Sequence, residues 1–115
     1  MNLNDYSKEC HQESLKWWHT VDGEPIKRNT GELFMLIVSE IAEALEGDRK
    51  DLMDNKLPHR SAVEVELVDA LIRIFDYAGA YDLDLEGAYQ EKTIYNRHRE
   101  DHTYEARSKI GGKKF

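Results

Sequence analysis

The chain has 115 residues, 34% of them charged, with 16 Lys and Arg against 23 Asp and Glu and a formal net charge of −7. That length suits one domain with one core, and the acidity argues against a binder of nucleic-acid polymers, which needs a cationic footprint. The one cysteine, Cys10, cannot close an internal disulfide, the first thirty residues hold no apolar secretory core, and no run reaches the roughly 18 apolar residues of a membrane span. A soluble cytoplasmic protein with no membrane partner is the expectation.

In chain order, the pattern predicts four helices and no sheet, an all-α chain with short loops that favour antiparallel neighbours in a helical bundle. The first helix is expected over residues 4–19, with Leu15, Trp18 and parts of Tyr6 and His11 facing inward. A loop through "VDGEPIKRN" contains Pro25. Thr30 is the expected cap of the second helix, which runs to about Glu46 with Gly47 as its stop. A charged loop containing Pro58 leads to Ser61, which with Glu64 makes a capping box for a third helix ending near Tyr81. Asp84 caps a fourth helix from Leu85 to about Asp101, and residues from about 103 to 115 read as an irregular basic arm. Residues 1–115 together are expected to form a single domain.

The charge is uneven along this path. Residues 1–39 carry four basic and six acidic side chains, residues 40–91 five and fourteen, and residues 92–115 seven and three. The acidic middle has a definite pattern. On the second helix Leu33, Ile37, Ile41, Ala44 and Leu45 form an apolar arc; Glu40 lies at its edge and Glu43 one turn on. The third helix is apolar nearly all round, which predicts burial. It carries one narrow polar stripe of Glu66, Asp69, Arg73 and Asp76. An unpaired buried carboxylate is costly, so the stripe needs a cation, a partner charge or a wet cleft. An internal salt-bridge network closed by Arg73 is one solution.

The other solution uses both helices. Glu40-x-x-Glu43 and Glu66-x-x-Asp69 each set two carboxylates one turn apart, and an antiparallel return lets the four meet. Such a group repels itself unless a divalent cation sits among it. All-oxygen ligation selects Mg²⁺ or Mn²⁺ over zinc. A di-iron site usually takes Glu-x-x-His on two helices, and none of the five histidines stands three residues after a glutamate.

On the fourth helix Lys92, Asn96 and Arg99 follow i, i+4, i+7 spacing, a face suited to phosphate oxygens as well as to plain solvation. Lys113 and Lys114, behind Gly111 and Gly112, are a possible extension. Trp17 is the candidate for stacking on a nucleobase, and Trp18 is the expected core residue.

These residues resemble the MazG-like nucleotide pyrophosphohydrolases of the all-α NTP pyrophosphatase superfamily. The resemblance runs from about Lys16 to the C-terminus. It rests on "RNTGELFMLIVSEIAEALEGDRK", on "VEVELVDALIRIFDYAGAYDLDLEGAYQEKTIYNRHRE" and on the ending "GGKKF". The family pattern E-x-x-E, spacer, E-x-x-D falls on Glu40, Glu43, Glu66 and Asp69, followed by Lys92-x-x-Tyr95-Asn96-x-x-Arg99. The resemblance implies cleavage of nucleoside triphosphates between the α and β phosphates, giving a monophosphate and pyrophosphate in house-cleaning or pool control. It implies that the four carboxylates bind Mg²⁺, that one of Glu40, Glu43 and Glu66 orients or deprotonates the attacking water, and that Lys92, Asn96 and Arg99 hold phosphates. It also implies an intertwined homodimer or homotetramer of four-helix MazG-like bundles. The segment "EDHTYEARSKI" before "GGKKF" departs from the pattern.

Two alternatives stand beside this. One is a non-catalytic helical oligomer, an interaction module with a structural cation or salt-bridge site. The other, within the superfamily, is a phosphoribosyl-ATP-type pyrophosphohydrolase.

Overall fold

A computed structural model describes residues 1–99 and 104–112. Four α-helices carry the chain: α1 (Leu3–Glu13), α2 (Thr30–Arg49), α3 (Ala62–Ala80) and α4 (Leu85–His98). A 3₁₀ turn, Leu15–Trp17, follows α1, and a five-residue helix, α5, covers Tyr104–Ser108. The described residues form no strand, only two isolated bridges, His19 with Pro25 and Met53 with Ser61. None of their helices is long and apolar enough to cross a membrane. By contacts the chain divides into two compact units, Met1–Leu83 and Asp84–Phe115.

The first unit is by itself a three-helix arrangement in which α3 packs against both α1 and α2. Its starts are set locally. Asn2 and Asp5 form a capping box on α1, and Ser61 and Glu64 form the expected one on α3. On α2 the cap is Asn29, one residue before the expected Thr30; its side chain accepts from the Glu32 N–H at 3.0 Å.

The stops differ more. Gly47 does not end α2, which runs on to Arg49. Instead Asp51 adopts φ 53°, and the Leu52 N–H reaches the Gly47 carbonyl while the Asp51 N–H reaches Asp48. This is a Schellman closure with Asp in the left-handed position usually given to Gly. α3 ends the same way: Asp82 has φ 55°, Leu83 donates to Ala78 and Asp82 to Gly79.

The glycine at 47 serves packing instead. A Cβ there would stand 2.8 Å from the Ala62 Cβ, and one at Gly79 would stand 2.6 Å from the His11 Cβ and collide with the Ser7 carbonyl. The buried residues are correspondingly small: Ser7, Ala44, Gly47, Ala70 and Ala78, with Leu33 and Trp18 as the large members.

The first helix stops at Glu13 and not at residue 19, where the expectation placed its end. The Ser14 N–H closes it onto Cys10 and His11, and the 3₁₀ turn swings Trp18 inward. Tertiary bonding outweighs helix continuation there: the Trp18 indole N–H donates to Asp76 on α3, and its ring meets His11 and Tyr81 edge-on. The chain then reverses through Gly23, whose φ of 85° suits a residue without Cβ, and Ile26 donates back to Trp18.

The expected burial of α3 is not met within one chain. Leu67, Val68, Leu71 and Ile72 are each about half exposed, and so are Ile41 and Leu45 on the expected inner arc of α2.

In the second unit Asp84 caps α4 as expected, accepting from the Gly87 N–H at 2.9 Å. The helix ends at His98, short of Asp101, with Arg99 as an extended C-cap. α5 is a short helix inside the stretch expected to be irregular. Residues 100–103 and 113–115, with Lys113 and Lys114, lie outside the described residues.

Candidate metal centre

Two helix faces and one cross-tied loop build the centre. α2 carries Glu40, and the capping box at Ser61 starts α3 so that Glu66 and Asp69 stand one turn apart on it. The loop between them is held by backbone bonds from Asp54 to Arg60 and from Ala62 to Leu52. With that register, Glu40, Glu66 and Asp69 each bring a carboxylate oxygen to within 4.8 Å of the others, and all three are partly shielded from solvent.

Their electrostatics show the strain of that approach. The Glu66 carboxyl is pushed from 4.5 up to about 7. The largest cause is a hydrogen bond shared with Glu40, which requires a proton; burial and the charges of Asp69, Glu40 and Glu43 act in the same direction. Asp69 is also raised, by burial first and then by Glu40, with Asp54 adding and Arg73 opposing. One positive group answers the three: Arg73 Nε donates to Glu40 Oε1 at 3.3 Å. The salt-bridge solution is therefore present for Glu40, while Glu66 holds its proton to higher pH than an ordinary carboxylate.

The donor set fits a hard divalent cation. It is all oxygen, drawn from two helices, and a cation among these oxygens would relieve the repulsion that raises the Glu66 and Asp69 carboxyls. Glu43 stands apart from the trio. It is exposed, its charge still raises Glu66, and it lines a smaller cavity of about 260 Å³ with Glu66, Glu46 and Asp54.

A cleft of about 570 Å³ opens beside the trio, lined by Glu40, Asp69, Ile72, Arg73 and Asp76 from the helices and by Ser14, Trp17 and Arg28 from the α1 end and its loop. Trp17 is 62% exposed and lies on this cleft, with Lys16 Nζ 5.0 Å from its ring centroid; Trp18 is 8% exposed and in the core, as expected. Asp76 has partners of its own on the α1 side: Oδ1 accepts from the Trp18 indole at 3.0 Å and pairs with His11 Nδ1 at 2.9 Å. Arg28 lies over the Trp18 ring at 5.0 Å.

The sequence did not mark His11, Arg28 or Asp76 as site residues. Only Asp76 left a signal, as a member of the polar stripe seven residues beyond Asp69. Lys92, Asn96 and Arg99 belong to the second unit. Lys92 and Asn96 are one turn apart on α4, with Lys92 Nζ 4.8 Å from the Tyr95 ring centroid, whereas Arg99 has left the helix as its C-cap. The three-residue face expected there is thus a two-residue face and a cap.

Compared with known protein families, with curated proteins and with solved structures, the chain finds no match.

Proposed function

We propose that the protein is a Mg²⁺-dependent nucleotide pyrophosphohydrolase that cleaves (deoxy)nucleoside triphosphates between the α and β phosphates. The observation that carries this reading is the trio of Glu40, Glu66 and Asp69, converging within 4.8 Å of one another with Glu40 and Asp69 lining an open cleft. These three residues hold the cation. Mg²⁺, with Mn²⁺ as a substitute, supplies positive charge for the phosphate oxygens and polarises the phosphorus under attack. Glu43, outside the trio but near enough to act on Glu66, is the fourth carboxylate of the motif, and one of Glu40, Glu43 and Glu66 orients or deprotonates the attacking water. Lys92, Asn96 and Arg99 are assigned to phosphate, by resemblance.

The working form is a homo-oligomer of MazG-like bundles. The half-exposed Leu67, Val68, Leu71 and Ile72 support it, since a contiguous apolar face of that kind marks an interaction surface. The test is pyrophosphate release from a panel of NTPs and dNTPs with and without Mg²⁺. Release that needs Mg²⁺ and is lost in Glu40→Gln supports the reading; no release from any nucleotide, or full activity in that variant, overturns it.

The Arg73–Glu40 ion pair favours a second reading, a non-catalytic oligomeric module whose acidic stripe is structural. Calorimetry with Mg²⁺ and a non-hydrolysable nucleotide separates the two, because the module gives no heat.

A further inference from the structure

The cleft has two chemically different ends. Asp69, Ile72, Arg73 and Asp76 line it from one face of α3. Seven residues separate Asp69 from Asp76, a rise of about 10.5 Å along the helix, which matches the reach of a nucleoside from its 5′ phosphorus to the far edge of its base. At the Asp69 end stand the carboxylates of the candidate metal centre. Near Asp76 stands Arg28, a planar donor 5.0 Å from the ring centroid of Trp18, the indole that bonds Asp76; Trp17, a flat apolar surface, lines the same cleft.

Asp76 is fixed there by neighbours that use only part of its capacity. An ionised carboxylate offers about four acceptor sites. His11 and the Trp18 indole both bond Oδ1, at 2.9 and 3.0 Å, whereas Oδ2 receives only the longer branch of the indole bond, 3.2 Å. Two residues from the α1 end thus hold the group, and Oδ2 keeps acceptor capacity. Such an acceptor answers an N–H or O–H donor of the ligand and rejects a carbonyl oxygen. Asp accepting from the exocyclic amino group of cytosine is the corresponding pairing in nucleic-acid recognition. Uracil offers instead an N–H flanked by carbonyls on both sides.

We infer that Asp76, oriented by His11 and Trp18, is the residue that reads the nucleoside, accepting a hydrogen bond from a donor on the ligand and favouring an amino-bearing base over a carbonyl-bearing one. This rests on the nucleotide reading above. Trp17 holds the same moiety without choosing it, by stacking, which tolerates any base.

The test is calorimetric binding of α,β-methylene analogues of dCTP, dUTP and CTP, with Mg²⁺, to the full chain. The native protein is expected to bind the dCTP analogue about tenfold tighter than the dUTP analogue, one good hydrogen bond's worth of discrimination. Asp76→Asn is expected to bring that ratio near one. If the variant changes the dCTP to CTP ratio instead, the donor is the sugar hydroxyl and the base-reading proposal is overturned. Ratios unchanged by the variant overturn it. Should Asp76→Asn melt below the assay temperature, the native ratios decide: equal affinity for all three analogues overturns the proposal. Trp17→Ala, at an exposed position, is expected to weaken all three by a similar factor, and an unaltered affinity removes the nucleoside from this cleft. Pyrophosphate release is scored separately. Binding with these ratios and no release keeps the inference and sinks the hydrolysis reading, and release with ratios indifferent to Asp76 does the reverse.

Discussion

Arg73 on α3 donates from Nε to Glu40 Oε1 on α2 at 3.3 Å, so this cation answers the carboxylate trio from the same helix that carries Glu66 and Asp69. Arg73→Met is expected to lower metal-free stability by about 0.5–1 kcal/mol, the scale of a partly exposed ion pair. The same change is expected to enlarge the rise in melting temperature on adding Mg²⁺, because the cation then relieves more repulsion. Melts with and without Mg²⁺ check both; a smaller Mg²⁺ effect than in the native chain counts against the metal centre.

Glu66 gives stability a defined pH dependence. Its carboxyl titrates near 7 in the folded chain and near 4.5 when unperturbed, so between these values the folded state binds more protons than the unfolded one. Stability therefore falls as pH rises through that window, and Asp69, also raised, adds in the same sense. The metal-free melting temperature is expected to decline from pH 5 to pH 8. Saturating Mg²⁺ is expected to flatten the decline, since cation and proton compete for the same oxygens. Equal melting temperatures across the range without metal would contradict the assignment.

Asp69→Asn removes one charge from the trio without changing its shape. Glu66 should then titrate lower, and metal-free stability should hold or rise. The Mg²⁺-induced stabilisation is expected to vanish, and pyrophosphate release to fall by more than about a hundredfold. A melting curve and one turnover assay on the same sample read both effects.

Gly79→Ala tests the packing that seats α1 against α3. The new methyl would meet the Ser7 carbonyl and the His11 Cβ, both on α1, and backbone is not free to yield. A loss of about 1–3 kcal/mol is expected from overpacking, read from the urea midpoint. Because His11 moves with α1, its bond to Asp76 is expected to suffer in the same variant.

Leu71→Lys places a charge in the half-exposed apolar face of α3. Sedimentation is expected to show an oligomer for the native chain and a shift toward monomer for the variant. A native chain that sediments as a monomer would remove the oligomer from the proposal.

What could be read in the sequence was local. The capping box at Ser61 and Glu64 and the cap at Asp84 depend on side chains three residues from their targets, and both stand where the pattern put them. Trp18 was separable from Trp17 because only one of two adjacent aromatics can face inward. The third helix ends within a residue of the expected Tyr81, but Gly47 is not the stop of the second: Asp51 takes the left-handed position there, and Gly47 packs against Ala62. In the site, E-x-x-E and E-x-x-D spacing brought Glu40, Glu66 and Asp69 together. The spacing did not show which of the four carboxylates approach most closely; Glu43 lies outside the 4.8 Å group but still acts on Glu66. Asp76 bonds His11 and Trp18 from 65 and 58 residues away, and no local pattern records such a partnership.

The cross-tied loop has a kinetic consequence. Leu52, Asp54, Arg60 and Ala62 bond to one another across the turn, so the alignment of α2 with α3 is decided inside a stretch of some thirty residues that holds every member of the trio. Closing so short a segment is entropically cheap and fast. The step that closes it also drives three carboxylates together, so the easiest stage of chain organisation is the one with the greatest self-repulsion. Added salt, or a divalent cation, should therefore accelerate refolding more than it slows unfolding, with the hairpin of α2 and α3 as the nucleus that feels it.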